Sequence, residues 1–525
     1  MWNKLANLAN NNLIKYSYCK DVHTDMKNVI IIGAGIGGLC SAIRLLNRGC
    51  KVTILEKENT IGGVVNIKEG GGFSFDLTAS IVMTPDIYTE IFKSVGKNYE
   101  DYMEIIKLDP IYKVNYYDDT NYEFYSDFRD MSISLEKLQE GLSQEYMNFL
   151  FKSLNKYMMT KENFLTKPMA RVGEIITPSV ISKAIKMRPL KSTDKYLSSL
   201  ITNEKFKNYL MFQAMYMGID PYKTSNLYSM IPTICHIYGL YYIKGGMYSY
   251  IKALEKLIIE MGGKIERNVN VKEIMIESNE VIGVEAGEKI YRTDTVICNA
   301  DFPYAIRNLF RLPIDEGNLY STNHIEKKKY SCSVFMIYLG LKKKYDTLRV
   351  HNIYINQYFK DELEAPFIGE LPEHPALYLY YPSAIDDTLC PKGKSVLNIM
   401  VRVPNLQCGK QMWDDETISS FRNKVMNQVR RVDGLQDIEY NIEYEDYLTP
   451  LQMKDKFNCY CGSAFGLSHK LTQSIYLRPH MKSKKIKGLY FVGASTHPGN
   501  GVSIITEGTK LLTDMVMNEE YEYKR

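Results

Sequence analysis

A chain of 525 residues, 45% hydrophobic and 24% charged, has the composition of a folded protein of two or more domains and excludes a disordered one. Its formal charge of +4, from 65 Lys and Arg against 61 Asp and Glu, is close to neutral and points to no nucleic-acid partner. Ten scattered cysteines exclude a disulfide scaffold and fit a reducing compartment; Cys459 and Cys461 form a lone CxC without the second half that a zinc site needs, so no metal is expected.

Residues 1–26 carry Lys and Asn where a signal peptide has an unbroken apolar run, and read as an N-terminal extension. Asn28 to Ile32 reads as a parallel strand buried on both faces. Gly33, Gly35 and Gly38 follow in GxGxxG register, then a helix through Arg48 and a second strand from Val52 to Leu55 that ends in Glu56. The first glycine permits the tight turn, the second lets the backbone approach a pyrophosphate, and the third lets helix and strand pack closely. The helix N-terminus offers its free N–H groups to the phosphates, and Glu56 is placed to accept from ribose hydroxyls. The strand, turn and helix account for the apolar window Asn28 to Leu46 better than a membrane span does. The pattern predicts a dinucleotide site that includes Lys57; the doublet Gly62 and Gly63 in EKENTIGG resembles that of the FAD-binding amine oxidase and phytoene desaturase superfamily, which implies that the chain passes the cofactor again there.

Farther along, residues 109–128 alternate like short strands, and residues 135–210 have mostly helical periodicity. Residues 241–277 hold a glycine turn, an amphipathic helix ending at Gly262 and Gly263, and a new strand containing Val271; residues 281–303 add a hairpin pattern and another apolar strand. These strands are expected to complete the sheet begun at Asn28. Residues 488–508 give a last strand, a glycine-rich turn and a helix. The layout predicts an α/β cofactor domain assembled from residues 27–105, 240–305 and 480–525, with residues 106–239 and 306–479 forming a mixed α+β substrate domain.

Several separated stretches carry a resemblance: FSFDLTASIVMTPDIYTEIF (73–92), MGIDPYKTSNLYSMIP (217–232), YIKGGMYSYIKAL (242–254), NADFP (299–303), GSAFGLSHKLTQSIYLRPH (462–480) and FVGASTHPGNG (491–501). The chain resembles the bacterial-type carotenoid (phytoene) desaturases, nearest to the branch that handles thirty-carbon, diapophytoene-like substrates, within the amine oxidase/phytoene desaturase superfamily. The likeness implies a Rossmann-type FAD-binding domain with an inserted substrate domain. It also implies FAD as cofactor and a linear, lipophilic isoprenoid that loses hydrogen to become a longer conjugated polyene. Two departures accompany it: Val64 stands where the family usually has a basic residue after the glycine doublet, and DLTAS (76–80) replaces the usual acidic-glycine-proline run near the flavin.

The resemblance also implies that Val271 lies near the adenine. The turn from Gly493 and Ala494 to Gly501 would pass along the flavin, with the N–H groups of Val502 and Ser503 facing the ring's polar edge. His497, Asp220 and Asp301 are candidate bases for proton removal; each also has an ordinary reading, His497 as a turn residue before Pro498 and the two aspartates as caps. The same frame serves forty-carbon phytoene desaturases, isomerases, saturases and aldehyde-forming oxidases. Amine oxidases, and non-enzymatic prenyl-binding escort proteins of the same fold, are the alternatives outside that group. A lipid-dissolved substrate calls for membrane access. Lys167 to Lys195, with seven Lys and Arg against two Asp and Glu among Ile, Val, Met and Leu, is the candidate peripheral contact with the inner face of the membrane in a cytoplasmic protein; a solvated helical face is the other reading.

Overall fold

The computed structural model describes residues 26–518 except 79, 166–177, 179–181, 183–186 and 312–320. The apolar run after Asn28 is a strand, β1 (Asn28–Ile32), and its neighbours are β2 (Lys51–Leu55), β3 (Lys264–Glu266), β4 (Thr295–Cys298) and β5 (Leu489–Phe491). These five form one sheet in the order β5-β4-β1-β2-β3, every adjacent pair parallel. Alternation along β1 explains its uninterrupted hydrophobicity. Val29 and Ile31 face a core built with helices α1 (Ile36–Asn47), α2 (Tyr248–Glu260) and α3 (Val502–Met517). Ile30 and Ile32 face the opposite core, with Val284, Phe302 and Ile306. The hairpin signals of residues 271–292 produce a different outcome from the one expected: Val271–Glu277, Glu280–Ala286 and Lys289–Arg292 form their own three-stranded antiparallel sheet. Tight local turns pair these strands with one another, so of the expected strands β4 joins β1 directly and β3 joins the sheet beside β2.

A second, seven-stranded sheet takes strands in the spatial order Ile442–Leu448, Ser333–Leu341, Ser395–Val403, Leu377–Tyr380, His351–Ile355, Tyr112–Tyr116 and Asn121–Phe124. All its pairs are antiparallel except His351–Ile355 with Tyr112–Tyr116. The strand Ser333–Leu341 sorts its side chains by parity. Phe335, Ile337 and Leu339 pack with Trp413, Phe421 and Val425. Val334, Met336 and Tyr338 pack with Phe73 and Phe75. An antiparallel pair, Ile105–Leu108 with Leu240–Ile243, lies where the chain leaves and re-enters the segments that build the parallel sheet. The architecture is α/β, a Rossmann-type parallel sheet joined to a mixed α+β unit.

Candidate functional site

The glycine fingerprint forms a cradle between β1 and α1. Gly33 has φ +92°, a left-handed conformation that side chains rarely adopt. A Cβ on Gly38 would lie 2.3 Å from the Gly33 carbonyl oxygen, so helix and strand pack at a distance only glycine allows. On Gly35 it would lie 2.7 Å from Asn299 Nδ2. Gly35 is the N-cap of α1, with no side-chain cap and no acidic residue in the first turn, so the first N–H groups of the helix have no side-chain acceptor. Gly62 donates its N–H to the Ala34 carbonyl at 2.8 Å, which draws the doublet against the cradle. Glu56 is buried; Oε1 accepts from the Glu58 N–H at 3.0 Å and Oε2 from the Ala34 N–H at 2.8 Å. Burial raises its carboxyl above the usual range, and the two N–H donors oppose that shift.

A cavity runs along this cradle and is lined by Gly33, Gly35, Glu56, Lys57, Gly62, Gly63, Val271, Gly493 and Ala494, all expected from sequence at a cofactor, and by Asp301, expected as a candidate base. Lys57 Nζ donates to the Lys456 carbonyl at 2.6 Å and so ties β2's end to the rim. Gly38 packs behind the cradle against Gly33. A second cavity, of about 460 Å³ and mostly apolar, is lined by Gly501, Val502, Ser503 and His497 on one side and by the seven-stranded sheet on another. The two cavities share Ile36, Val64, Val65, Ala464, Ala494 and Ile505. Gly501, with φ +113°, is the N-cap of α3, again without a side-chain cap or an acidic residue in the first turn. Two open helix N-termini thus serve two cavities that meet at a shared wall. A glycine-lined cradle and two uncapped helix starts fit a pyrophosphate and the polar edge of a flavin.

The three candidate bases part company. Asp220 lies outside the lining of both cavities; its Oδ1 accepts from the Tyr222 N–H at 2.9 Å and its Oδ2 pairs with Lys223 at 3.4 Å, a turn arrangement. Asp301 stands at the N-cap of helix Phe302–Asn308 without a side-chain cap bond. Its oxygens instead accept from the Tyr460 N–H at 2.9 Å and the Ser495 hydroxyl at 2.5 Å. His497 is 3% exposed and lines the apolar cavity, while its N–H donates to the Pro479 carbonyl at 2.9 Å.

The DLTAS loop is tied at every polar side chain described. Asp76 Oδ2 accepts from the Tyr380 hydroxyl at 3.0 Å and its carbonyl from Asn398 Nδ2 at 2.7 Å. Thr78 donates to the Val64 carbonyl at 2.7 Å, and Ser80 shares a 3.0 Å hydrogen bond with Tyr378. Thr78, Ser80 and Val64 line the apolar cavity, so both departures from the family pattern sit on its wall.

Sequence reasoning missed three polar side chains there. Arg478 is 1% exposed and donates to the carbonyls of Thr496 at 3.1 Å, Leu467 at 3.1 Å and Ala494 at 2.6 Å. His469 is buried against Tyr228 and held well below the usual imidazole range by burial and the nearby Arg478 charge. Arg402 stands in the strand SVLNIMVRV (395–403), and a lone charge in an otherwise apolar strand was the available signal.

The family model for flavin containing amine oxidoreductases matches residues 36–505. The chain is 35% identical over 495 residues to a 4,4'-diapophytoene desaturase (4,4'-diaponeurosporene-forming) of Staphylococcus haemolyticus (strain JCSC1435), covering 94% of this chain and 99% of the relative. It is 34% identical over 498 residues to the desaturase of the same description from Staphylococcus aureus (strain COL), covering 94% and 99%. In structure it is similar to an oxidoreductase from Methanosarcina mazei, with a TM-score of 0.63 at 15% identity over 93% of this chain and 100% of that one.

Proposed function

Because the chain belongs to the flavin containing amine oxidoreductase family, we propose that it is an FAD-dependent carotenoid desaturase that extends the conjugation of a linear, diapophytoene-like isoprenoid. The observation that carries this reading is the meeting of the glycine cradle and the apolar cavity along one shared wall. When bound, FAD supplies the two-electron acceptor for the oxidation of a C–C bond. Gly33, Gly35, Gly62 and Gly63 with the α1 N-terminus would hold the pyrophosphate, Glu56 the ribose, and Val271 the adenine. The N–H groups of Val502 and Ser503 at the start of α3 would meet the ring's polar edge.

The substrate has almost no polar handle, so binding comes from apolar burial along the second cavity, and rate comes from orientation. Ile36, Val64 and Ile505 would hold the reacting carbons at the shared wall and exclude water. The carboxylate of Asp301 is committed to Tyr460 and Ser495, and we assign it to positioning the turn rather than to proton transfer. The cofactor unit is drawn from residues 27–105, 240–305 and 480–525 and the substrate unit from 106–239 and 306–479.

Access from a lipid phase would be peripheral. Among the described residues no helix is long and apolar enough to cross a membrane. The basic stretch Lys167 to Lys195 lies mostly outside the described residues. Its described residues and their neighbours support the assignment: Leu190 within it is 91% exposed and Phe151 before it 70% exposed, while Tyr157, Met187 and Pro189 line the apolar cavity. The attachment side would be the cytoplasmic face. The deciding experiment is co-expression with thirty- or forty-carbon substrate synthases, with pigments identified by absorption and mass. A thirty-carbon polyene is the expected product. A forty-carbon polyene, an aldehyde, or an isomer without added double bonds would each replace the desaturase assignment within the family. A purified protein that is colourless and refuses FAD would place the chain with the escort proteins.

A further inference from the structure

The apolar cavity contains a cation that a hydrocarbon does not explain. Arg402, in the strand Ser395–Val403, is 9% exposed and lines the cavity beside Val334 and Met400. Nη1 donates to the Met400 thioether sulfur, and Nε has no hydrogen-bond partner. Among the described residues no carboxylate lines the cavity, and Arg402 forms no ion pair. Its remaining company is largely aromatic: the Phe465 ring lies 5.2 Å from the guanidinium carbon, and the Cys332 thiol and the phenols of Tyr216 and Tyr378 act on its charge. Those phenols are already fixed, Tyr216 by Tyr112 at 2.7 Å and Tyr378 by His351 at 2.8 Å.

The other arginine on the wall gives the contrast. Arg478 distributes its guanidinium over three backbone carbonyls, so its charge is compensated within the protein. Arg402 has a sulfur and a π face. A guanidinium stays charged under all physiological conditions, and burying it without an acceptor is costly. For a wholly hydrocarbon substrate, Met or Leu at this position would fill the space without that cost. A carboxylate matches it, because a guanidinium offers two parallel N–H donors in the geometry of two carboxylate oxygens.

We propose that this part of the cavity is a head-group subsite in which Arg402 binds the terminal carboxylate of a long apolar chain, so that the protein accepts oxygen-terminated polyenes or fatty acids as well as hydrocarbons. The proposal rests on the reading that the apolar cavity holds the isoprenoid chain. It deepens that reading by defining which chain ends the cavity recognises.

All-trans-retinoic acid and its methyl ester are suitable probes, titrated onto the flavin-loaded enzyme and followed by the shift of their own absorption bands. The acid is expected to bind at least tenfold more tightly than the ester. Arg402→Gln should weaken the acid at least tenfold and change the ester by less than twofold, and Arg402→Lys should restore part of the difference. Equal affinity of acid and ester in the native protein overturns the subsite while leaving the cavity reading intact, and that comparison needs no variant to fold. Failure of both probes to bind overturns the subsite and the cavity reading together. Equal weakening of acid and ester by Arg402→Gln assigns the residue to packing and also overturns the subsite.

Discussion

At the scale of single residues, the site depends on side chains that are absent as much as on those present. Gly38→Ala would place a methyl carbon 2.3 Å from the Gly33 carbonyl oxygen, a backbone atom that cannot step aside. The helix must move off the strand, at a cost of about 2 kcal/mol or more. The expected result is a lower melting temperature together with loss of flavin absorbance from the purified protein. His497→Ala tests the remaining base candidate: desaturation is expected to persist, because the backbone N–H of His497, which bonds Pro479, survives the substitution. Loss of desaturation with flavin still bound would return the imidazole to the chemistry.

Asp76 adds a pH dependence. Burial pushes its carboxyl from 3.8 up to about 6, against the donors Met247, Tyr380 and Tyr248. Below pH 3.8 it is protonated in both folded and unfolded chains; between that value and about 6 the folded state keeps a proton that the unfolded state has lost. Its contribution to stability is therefore full at low pH and falls as pH rises to about 6, by about 3 kcal/mol in total. Chemical denaturation from pH 4 to 7 should show a smaller decline for Asp76→Asn than for the native chain; an identical decline would assign the dependence to other groups.

At the scale of elements, what the sequence reveals depends on whether the partner is near in the chain. The unit β1, α1 and β2 is local, and its strand hydrophobicity, glycine spacing and terminal Glu56 all read correctly because each feature constrains a neighbour within 30 positions. The strands at residues 271–292 read correctly as strands but were assigned to the wrong sheet, because periodicity identifies a strand and says nothing of which edge it joins. The turn between β5 and α3 has an intermediate status. Its glycines were visible, while the guanidinium that fastens it comes from Arg478 outside the turn and was not. Arg478→Met removes donors to three carbonyls, at Leu467, Ala494 and Thr496, and leaves those buried acceptors unpaired. A loss of about 3 kcal/mol or more is expected. Flavin should dissociate from this variant at a lower temperature than from the native protein, read as the onset of flavin fluorescence. An unchanged onset would show that the turn holds itself.

At the scale of the whole molecule, one ligand space is assembled from opposite ends of the chain. Gly35 and Ala494 line the same cavity although hundreds of positions separate them, and β5 completes the sheet beside β4. The seven-stranded sheet was the least visible part, since its strands range from Tyr112 to Leu448 and pair out of sequence order. Arg402 lines the cavity that this sheet helps enclose, and its place there was hidden for the same reason. The apolar cavity reaches Met187 and Pro189, inside the basic stretch of residues 167–195, so a lipid surface at that side would present substrate directly to the cavity. If the proposed peripheral contact holds, each basic residue near an anionic surface contributes roughly 1 kcal/mol. Replacing Lys183, Lys186 and Arg188 together by Gln should then lower the partition coefficient onto phosphatidylglycerol-containing vesicles by about two orders of magnitude. Added salt should weaken the native protein's binding and leave the variant's little changed. Co-sedimentation measures both. Equal binding of native and variant proteins would remove these three charges from the membrane contact and leave the exposed apolar residues, Leu190 and Phe151, as the surface to test next.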